Sequence, residues 1–230
     1  MNAIECREIV KSFGEPPLVV LKSISLTIEK GEFVGITGRS GSGKSTLLYV
    51  TSGLDELTSG EVLLSGKNIH EFESKELHLF RNRKMGFVFQ FHYLLPELTA
   101  LENILIPARK FNEDKKRSKY ALSLMEEFDV IHCKDKIPSK MSGGEMQRTA
   151  IARSLIMDPE LLFADEPTGN LDSENGIKVM DILKEVNRRL GTTILMVTHE
   201  PDFAAMAKRQ IHLIDGKIDS DSSDSRSKKK

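Results

Sequence analysis

The segment Gly38-Arg39-Ser40-Gly41-Ser42-Gly43-Lys44-Ser45-Thr46 constrains this chain more than any other. It follows a short apolar run, Phe33-Val34-Gly35-Ile36-Thr37, and precedes residues 44–52, which read as a helix. A strand, a glycine-rich loop and a helix in that order form the P-loop arrangement. Glycines let the backbone turn tightly and bring N–H groups against phosphate oxygens with no Cβ in the way. The helix beginning at Lys44 adds the positive end of its dipole. Lys44 is placed to reach the β- and γ-phosphates, and Ser45 to offer its hydroxyl to Mg²⁺. A glycine-rich turn with no ligand is the simpler alternative, and the flanking strand and helix argue against it.

Two further apolar runs end in polar groups. Leu161-Leu162-Phe163-Ala164 leads into Asp165-Glu166. Paired carboxylates at a buried strand end are costly unless a cation or polar group meets them. With a P-loop present, the expected partner of Asp165 is Mg²⁺, and Glu166 is placed to take a proton from, or orient, an attacking water. Residues 194–198 form another apolar strand, which ends at His199. In open α/β sheets, ligands bind beyond the carboxyl ends of strands. His199 is therefore expected near Gly38 and Asp165, donating a hydrogen bond to the γ-phosphate. Each of these features has a structural alternative: a loop opening before Pro167, and an ordinary histidine.

Met141-Ser142-Gly143-Gly144-Glu145 precedes a helix over residues 142–157. Ser142 with Glu145 three residues later is a capping box. The two glycines remain unexplained by the cap, since each costs up to about 1 kcal/mol against Ala in a helix. A ligand approaching bare backbone explains them, which gives two phosphate-facing helix starts in one chain.

Around these motifs, residues 2–37 read as strands, 61–64 and 85–89 as strands, and 74–82 as a short helix. Sixteen glycines in 230 residues is an ordinary share, but none falls from residue 87 to 142. That interval shows helical spacing at Leu101, Ile104, Leu105 and Ala108, and again at Ala121, Leu122, Met125 and Phe128. It reads as a helical lobe inserted into the α/β core, with Lys115-Lys116-Arg117 on a solvated face. Strand 161–164, helix 173–190, strand 193–197, helix 202–207 and strand 210–214 complete the alternation expected of a mostly parallel sheet covered on both faces. Residues 219–230 are Ser-rich and mixed in charge, and are expected to be a disordered tail.

Composition removes several classes. The longest stretch without a charged side chain, residues 85–96, is too short to span a bilayer, which takes about 18–20 apolar residues. The first ten residues carry Glu5, Arg7 and Glu8 and no apolar signal core, so the chain is expected to stay in the cytoplasm. Cys6 and Cys133 are too few and too far apart to suggest a disulfide framework or a zinc site. With 33 basic against 34 acidic side chains, no nucleic-acid partner is expected.

In order, the set is GRSGSGKST at 38–46, Gln90, MSGGE at 141–145, LLFADE at 161–166, GNLD at 169–172 and His199. It resembles the nucleotide-binding subunits of ATP-binding cassette (ABC) transporters over about residues 1–218. P-loop kinases and GTPases share only the first element. The resemblance implies a P-loop NTPase, RecA-like core over residues 1–90 and 158–218, with a small antiparallel β subdomain and an α-helical subdomain at 91–157. It implies ATP and Mg²⁺ as ligands, with Gln90, Ser45 and Asp165 at the metal. Subunits of this family pair head to tail, so that Ser142, Gly143, Gly144 and Glu145 of one would face ATP on the P-loop of the other. Asp172 matches the residue expected to meet the opposite subunit. Phe13 stands where the family usually has a Tyr stacking on adenine. Met141 and Glu145 replace the commoner Leu and Gln.

The stretch from Phe89 to Asn103, together with GNLD, resembles most the lipoprotein-releasing branch of the family, and next the macrolide-exporter-like ATPases. Phe91, Tyr93 and Leu94, just after Gln90, suit an apolar and aromatic contact with a membrane subunit. These features imply a homodimer on ATP binding, peripheral on the cytoplasmic face of the inner membrane, with permease subunits docking near Gln90 and the helical lobe. A cell-division-type ABC ATPase with a non-transporting membrane partner is the alternative. A soluble ABC ATPase acting on DNA or ribosomes is a further one, although such relatives usually carry long insertions or two cassettes.

Overall fold

In the computed structural model of the chain, residues 1–69 and 71–223 are described. Strands β1 (Asn2–Phe13), β2 (Leu18–Glu29), β3 (Phe33–Gly38), β4 (Ser59–Leu64), β5 (Lys67–Asn68) and β6 (Met85–Phe89) occupy the first half. Helices α1 (Lys44–Thr51) and α2 (Ser74–Lys84) are interleaved with them. Helices α3 (Ala100–Arg109), α4 (Asp114–Glu127) and α5 (Gly143–Leu155) follow. The chain then alternates through β7 (Leu161–Asp165), α6 (Ser173–Leu190), β8 (Thr193–Val197), α7 (Pro201–Ala204), β9 (Arg209–Ile214) and β10 (Lys217–Asp221).

The strands form two sheets. One is a four-stranded antiparallel sheet in the order β2-β1-β4-β5. The other has six strands in the order β10-β9-β3-β8-β7-β6, parallel except for the β10 edge. All of β7 and β8 is buried, which is why those runs are continuously apolar instead of alternating. One core lies between this sheet and α3, α4, α5 and α6, and includes Ile104, Leu124, Ile151 and Leu183. A second lies between the two sheets around α1, and includes Ile4, Ile24, Leu47 and Phe163.

Local chemistry sets the helix ends. Thr99 and Glu102 close a capping box on α3. Helix α6 buries Val179, Met180, Leu183, Val186 and Asn187 along one stripe and ends at Gly191, whose φ of 66° only glycine adopts freely. The expected P-loop α/β core, antiparallel β unit and helical insertion are all present. Two expectations need correction. Residues 219–221, read as the start of a tail, pair through β10 with β9, with Asp221 opposite Ile211. The helix expected at 202–207 is only the four-residue α7, because Pro201 starts it early and the chain must turn back to pair β9 with β3. The rest of the tail, residues 224–230, lies outside the described residues.

Candidate active site

Sheet order brings the functional strand ends side by side. Adjacent strands β3, β8, β7 and β6 run parallel, so their carboxyl ends deliver Gly38, His199, Asp165-Glu166 and Gln90 to one edge.

The P-loop joins β3 to α1. Gly38 is required by its surroundings: a Cβ there would lie 2.4 Å from the Leu213 carbonyl oxygen and 2.7 Å from Ser42 Oγ. Gly41 and Gly43 have φ of 78° and 98°, values that L side chains avoid. Gly43 is the N-cap of α1 and supplies no side-chain cap, and the first turn carries no acid. The free N–H groups and dipole of that turn are left for an anion. Lys44 Nζ donates to the carbonyls of Gly38 and Arg39, at 3.0 Å each, which holds its ammonium over the loop. Among the described residues, the buried Ser42 Oγ has no hydrogen-bond partner. Arg39, Ser40 and Thr46 complete the loop and first turn.

The expected acid–hydroxyl pair is in contact. Ser45 Oγ donates to Asp165 Oδ1 at 2.9 Å, and Tyr49 Oη donates to Asp165 Oδ2 at 2.6 Å. Burial, and then the bond to Asp165, push the Tyr49 hydroxyl well above its ordinary pKa, so it stays a donor. A hydroxyl and a buried carboxylate are hard oxygen donors of the kind Mg²⁺ takes. The site therefore fits the ion that the sequence implies.

Glu166 has φ of 49°, left-handed for a side chain that bears a Cβ. Such backbone costs on the order of 1–3 kcal/mol and persists only where its surroundings hold it. Here the Glu166 N–H donates to the Val197 carbonyl, and the Gly169 N–H donates to the Glu166 carbonyl. The strained turn aims the carboxylate at His199: Oε2 lies 2.9 Å from His199 Nδ1. The Glu166 side chain is 15% exposed and that of His199 59%.

Gln90 is turned elsewhere. Its Nε2 donates to Asn170 Oδ1 at 3.0 Å, and Asn170 Nδ2 returns a bond to the Gln90 carbonyl. Gln90 also fills the space beside Gly169, where a Cβ would meet its Nε2 at 2.9 Å. The loop after Glu166 and the segment after β6 are thus one unit. Phe13 is 44% exposed at the end of β1, with Lys11 Nζ 4.6 Å from its ring centroid.

The start of α5 is a second cluster. Ser142 accepts from the Glu145 N–H, and Glu145 Oε2 accepts from the Ser142 N–H at 2.6 Å, so the capping box is complete. Those bonds and His132 hold the Glu145 carboxyl down at about 2. A Cβ on Gly144 would lie 2.2 Å from Asn175 Oδ1. Packing inside the chain therefore explains Gly144 without a ligand. Gly143 is different, since the nearest atom to its Cβ position is 3.7 Å away. Packing against Asn175 thus demands glycine at 144 whether or not a ligand approaches, while the space beside Gly143 is open. Among the described residues, no hydrogen bond joins the P-loop to residues 141–145.

Of the polar side chains that tie these parts together, sequence reading singled out only Asp172, and not for its cap. Asp172 caps α6 by accepting from the Asn175 N–H at 2.8 Å, and those bonds hold its carboxyl below the usual range. Asn175 Oδ1 in turn accepts from the buried Arg148 of α5 at 3.0 Å. Gln147 Nε2 donates to the Pro167 carbonyl at 2.6 Å and the Phe89 carbonyl at 3.3 Å. Arg153, whose burial lowers it to about 10, donates to the carbonyls of His92 and Tyr93. The only sequence signal was polar residues on the apolar face of a helix.

Known proteins carry the same arrangement. Residues 21–169 match the family described as "ABC transporter". The lipoprotein-releasing system ATP-binding protein LolD of Leptospira interrogans is 52% identical over 217 residues, 94% of this chain and 91% of that protein. The LolD of Aquifex aeolicus is 54% identical over 203 residues, 86% of this chain and 89% of that protein. Among solved structures, the ATP-binding cassette MJ0796 in a dimeric post-hydrolysis state, bound to ADP and Pi, superposes with a TM-score of 0.84 at 38% identity. That match covers 95% of this chain and 97% of the other. By sequence match, fold and the order of its strand-end residues, the chain belongs to the ABC transporter family, as one of its ATP-binding cassettes.

Proposed function

We propose that this chain hydrolyses ATP to drive lipoprotein release through separate membrane subunits. The observation that carries the ATPase reading is the pairing at the strand ends: Ser45 on Asp165 and His199 on Glu166, each at 2.9 Å, beside an uncapped helix start. Two LolD relatives above 50% identity over most of the chain support the lipoprotein-releasing assignment.

In this reading, Lys44 and the loop N–H groups bind the phosphates of ATP, and Phe13 stacks on the adenine. Ser45 and Asp165 hold Mg²⁺, with Gln90 turning toward it from Asn170. The chemistry Mg²⁺ would supply when held there is neutralisation of the charge on the phosphates. Glu166 accepts a proton from the attacking water. The bond from His199 steers the Glu166 carboxylate, and the exposed ring remains free to meet the γ-phosphate. Residues 142–145 and Asp172 complete the site on a second copy, in a head-to-tail dimer.

Coupling to the membrane has a physical route. Of the expected contact residues, Phe91 and Tyr93 are exposed, Phe91 at 65%, whereas Leu94 is half-buried and its neighbour Leu95 is exposed instead. Arg153 fixes the carbonyls of His92 and Tyr93 to α5, whose first turn carries the 142–145 motif. A partner pressing on 91–95 therefore moves a segment bonded to α5 on one side and to the Glu166 loop on the other. No helix among the described residues is long and apolar enough to cross a membrane, and in this reading the chain sits on the cytoplasmic face through its membrane partners.

The test is phosphate release by Glu166→Gln in MgATP. Loss of the general base lowers turnover by about 10²–10⁴-fold, with ATP binding retained. Unimpaired hydrolysis would remove Glu166 from the proposed role. Co-purification with a membrane permease, and lipoprotein release after reconstitution, test the substrate; capture of a division-site membrane protein with no release activity would favour the cell-division alternative.

A further inference from the structure

A group of metal-ligating side chains lies beside the α5 start, and of its three members only Glu145 has a place in the nucleotide site proposed above. We propose that His132, Cys133 and Glu145 form a three-ligand site for a zinc-like divalent cation, which staples the turn at 131–133 to the first turn of α5. Their ligand atoms all lie within 4.8 Å of one another. Zinc bonds of about 2.0–2.3 Å place tetrahedral ligand atoms roughly 3–4 Å apart, so small side-chain adjustments complete the site.

The two segments are already fixed in facing positions. The 3-10 turn Ile131–Cys133 is closed by the Cys133 N–H to the Val130 carbonyl and the Lys136 N–H to the Cys133 carbonyl, both 2.9 Å. Opposite it, Glu145 divides its two oxygens. Oε2 accepts the capping bond from Ser142, while Oε1 faces His132 Nε2 at 2.7 Å. A cation on Oε1 therefore leaves the helix cap in place. It inserts between imidazole and carboxylate, which part by several tenths of an ångström.

The donor set selects the metal. A thiolate, an imidazole and one carboxylate oxygen suit zinc and disfavour Mg²⁺ or Ca²⁺, which take all-oxygen shells. Three protein ligands leave a fourth position for water or another ligand. Two groups oppose binding. The Cys133 thiol proton must leave, and burial holds it on. The Lys136 ammonium, 3.9 Å from Oε1, must swing away, which its half-exposed side chain permits.

The test uses the full chain, chelator-treated and free of nucleotide, with zinc followed by calorimetry and Co²⁺ followed by absorption. One metal per chain and a thiolate-to-cobalt charge-transfer band are expected. Cys6→Ser must keep the band, because Cys6 is buried in the other core against Thr51. Cys133→Ser must lose it. Because Cys133 lies in the core, His132→Gln, on an exposed side chain, is the second variant. Losing even a supporting partner typically weakens metal binding about 10–100-fold, so a zinc affinity lowered at least about tenfold is expected. Absence of the band in the wild type, its persistence in Cys133→Ser, or unchanged zinc affinity in His132→Gln would each overturn the proposal.

Discussion

The two glycine-rich helix starts of this molecule look alike in sequence and are built differently. The α1 start has glycine at its N-cap, no side-chain cap and no acid in its first turn. The α5 start is capped by Ser142 and neutralised by Glu145, whose carboxyl is held down at about 2. A helix N-terminus that keeps its N–H groups and positive dipole free is a site for an anion. One that supplies its own carboxylate has met much of that demand internally. This contrast supports the proposed reading in which the P-loop is the primary phosphate site of this chain. The α5 start is a surface of fixed shape, suited to completing a nucleotide site that another copy holds.

The largest expected effect is on the uncapped start. Lys44→Ala removes hydrogen bonds from a cation to phosphate, about 1.5–3 kcal/mol, or roughly 10- to 150-fold in ATP affinity measured by calorimetry. Fold stability should change little, because among the described residues Lys44 Nζ bonds to the loop carbonyls of Gly38 and Arg39.

Next come the paired glycines. Gly144→Ala places a methyl group against Asn175, an overpacking cost of about 1–3 kcal/mol less up to about 1 kcal/mol of helix propensity, read as a lower denaturant midpoint. Gly143→Ala meets no such obstacle, and should stabilise the isolated chain by up to about 1 kcal/mol while slowing ATP turnover. If Gly143→Ala turned over at the wild-type rate, the proposed contact with a nucleotide would be lost from the account.

The smallest effect is at the cap. Ser142→Ala should cost about 1 kcal/mol. The Glu145 contribution depends on pH in a definite sense. Its folded pKa of about 2 lies below its value of about 4.3 in an unfolded chain. The carboxylate therefore stabilises the fold fully above that higher value, and the contribution is lost as pH falls toward 2. Glu145→Gln should flatten acid unfolding in that window.

Much of this was legible in the sequence because strand ends are legible. Apolar runs that stop at Gly38, Asp165 and His199 announce a parallel sheet and its ligand edge. The need for glycine in the P-loop was legible too, since positive φ or close packing there leaves no other residue type at ease. The packing role of Gly144 was hidden for a physical reason: a glycine admitting a ligand and a glycine admitting Asn175 are the same letter. Tyr49, Gln147, Arg148 and Arg153 were silent because their partners are backbone carbonyls or side chains far along the chain. The terminal strand at 217–221 was hidden by its composition, as an edge strand may be polar on both faces. Cys133 was dismissed on cysteine spacing alone: Glu145 is brought to the adjacent His132 and Cys133 only through the fold.

The central claim is that the capped start of one copy serves the uncapped start of another. The direct measurement mixes Lys44→Ala subunits with Gly143→Ala subunits in equal amounts and follows phosphate release in MgATP. Each variant alone should be slow, and the mixture should exceed both, because mixed dimers hold one site with an intact P-loop and an intact partner signature. A mixture no faster than the average of its components would contradict the account, since each chain would then be using its own 142–145 motif or none.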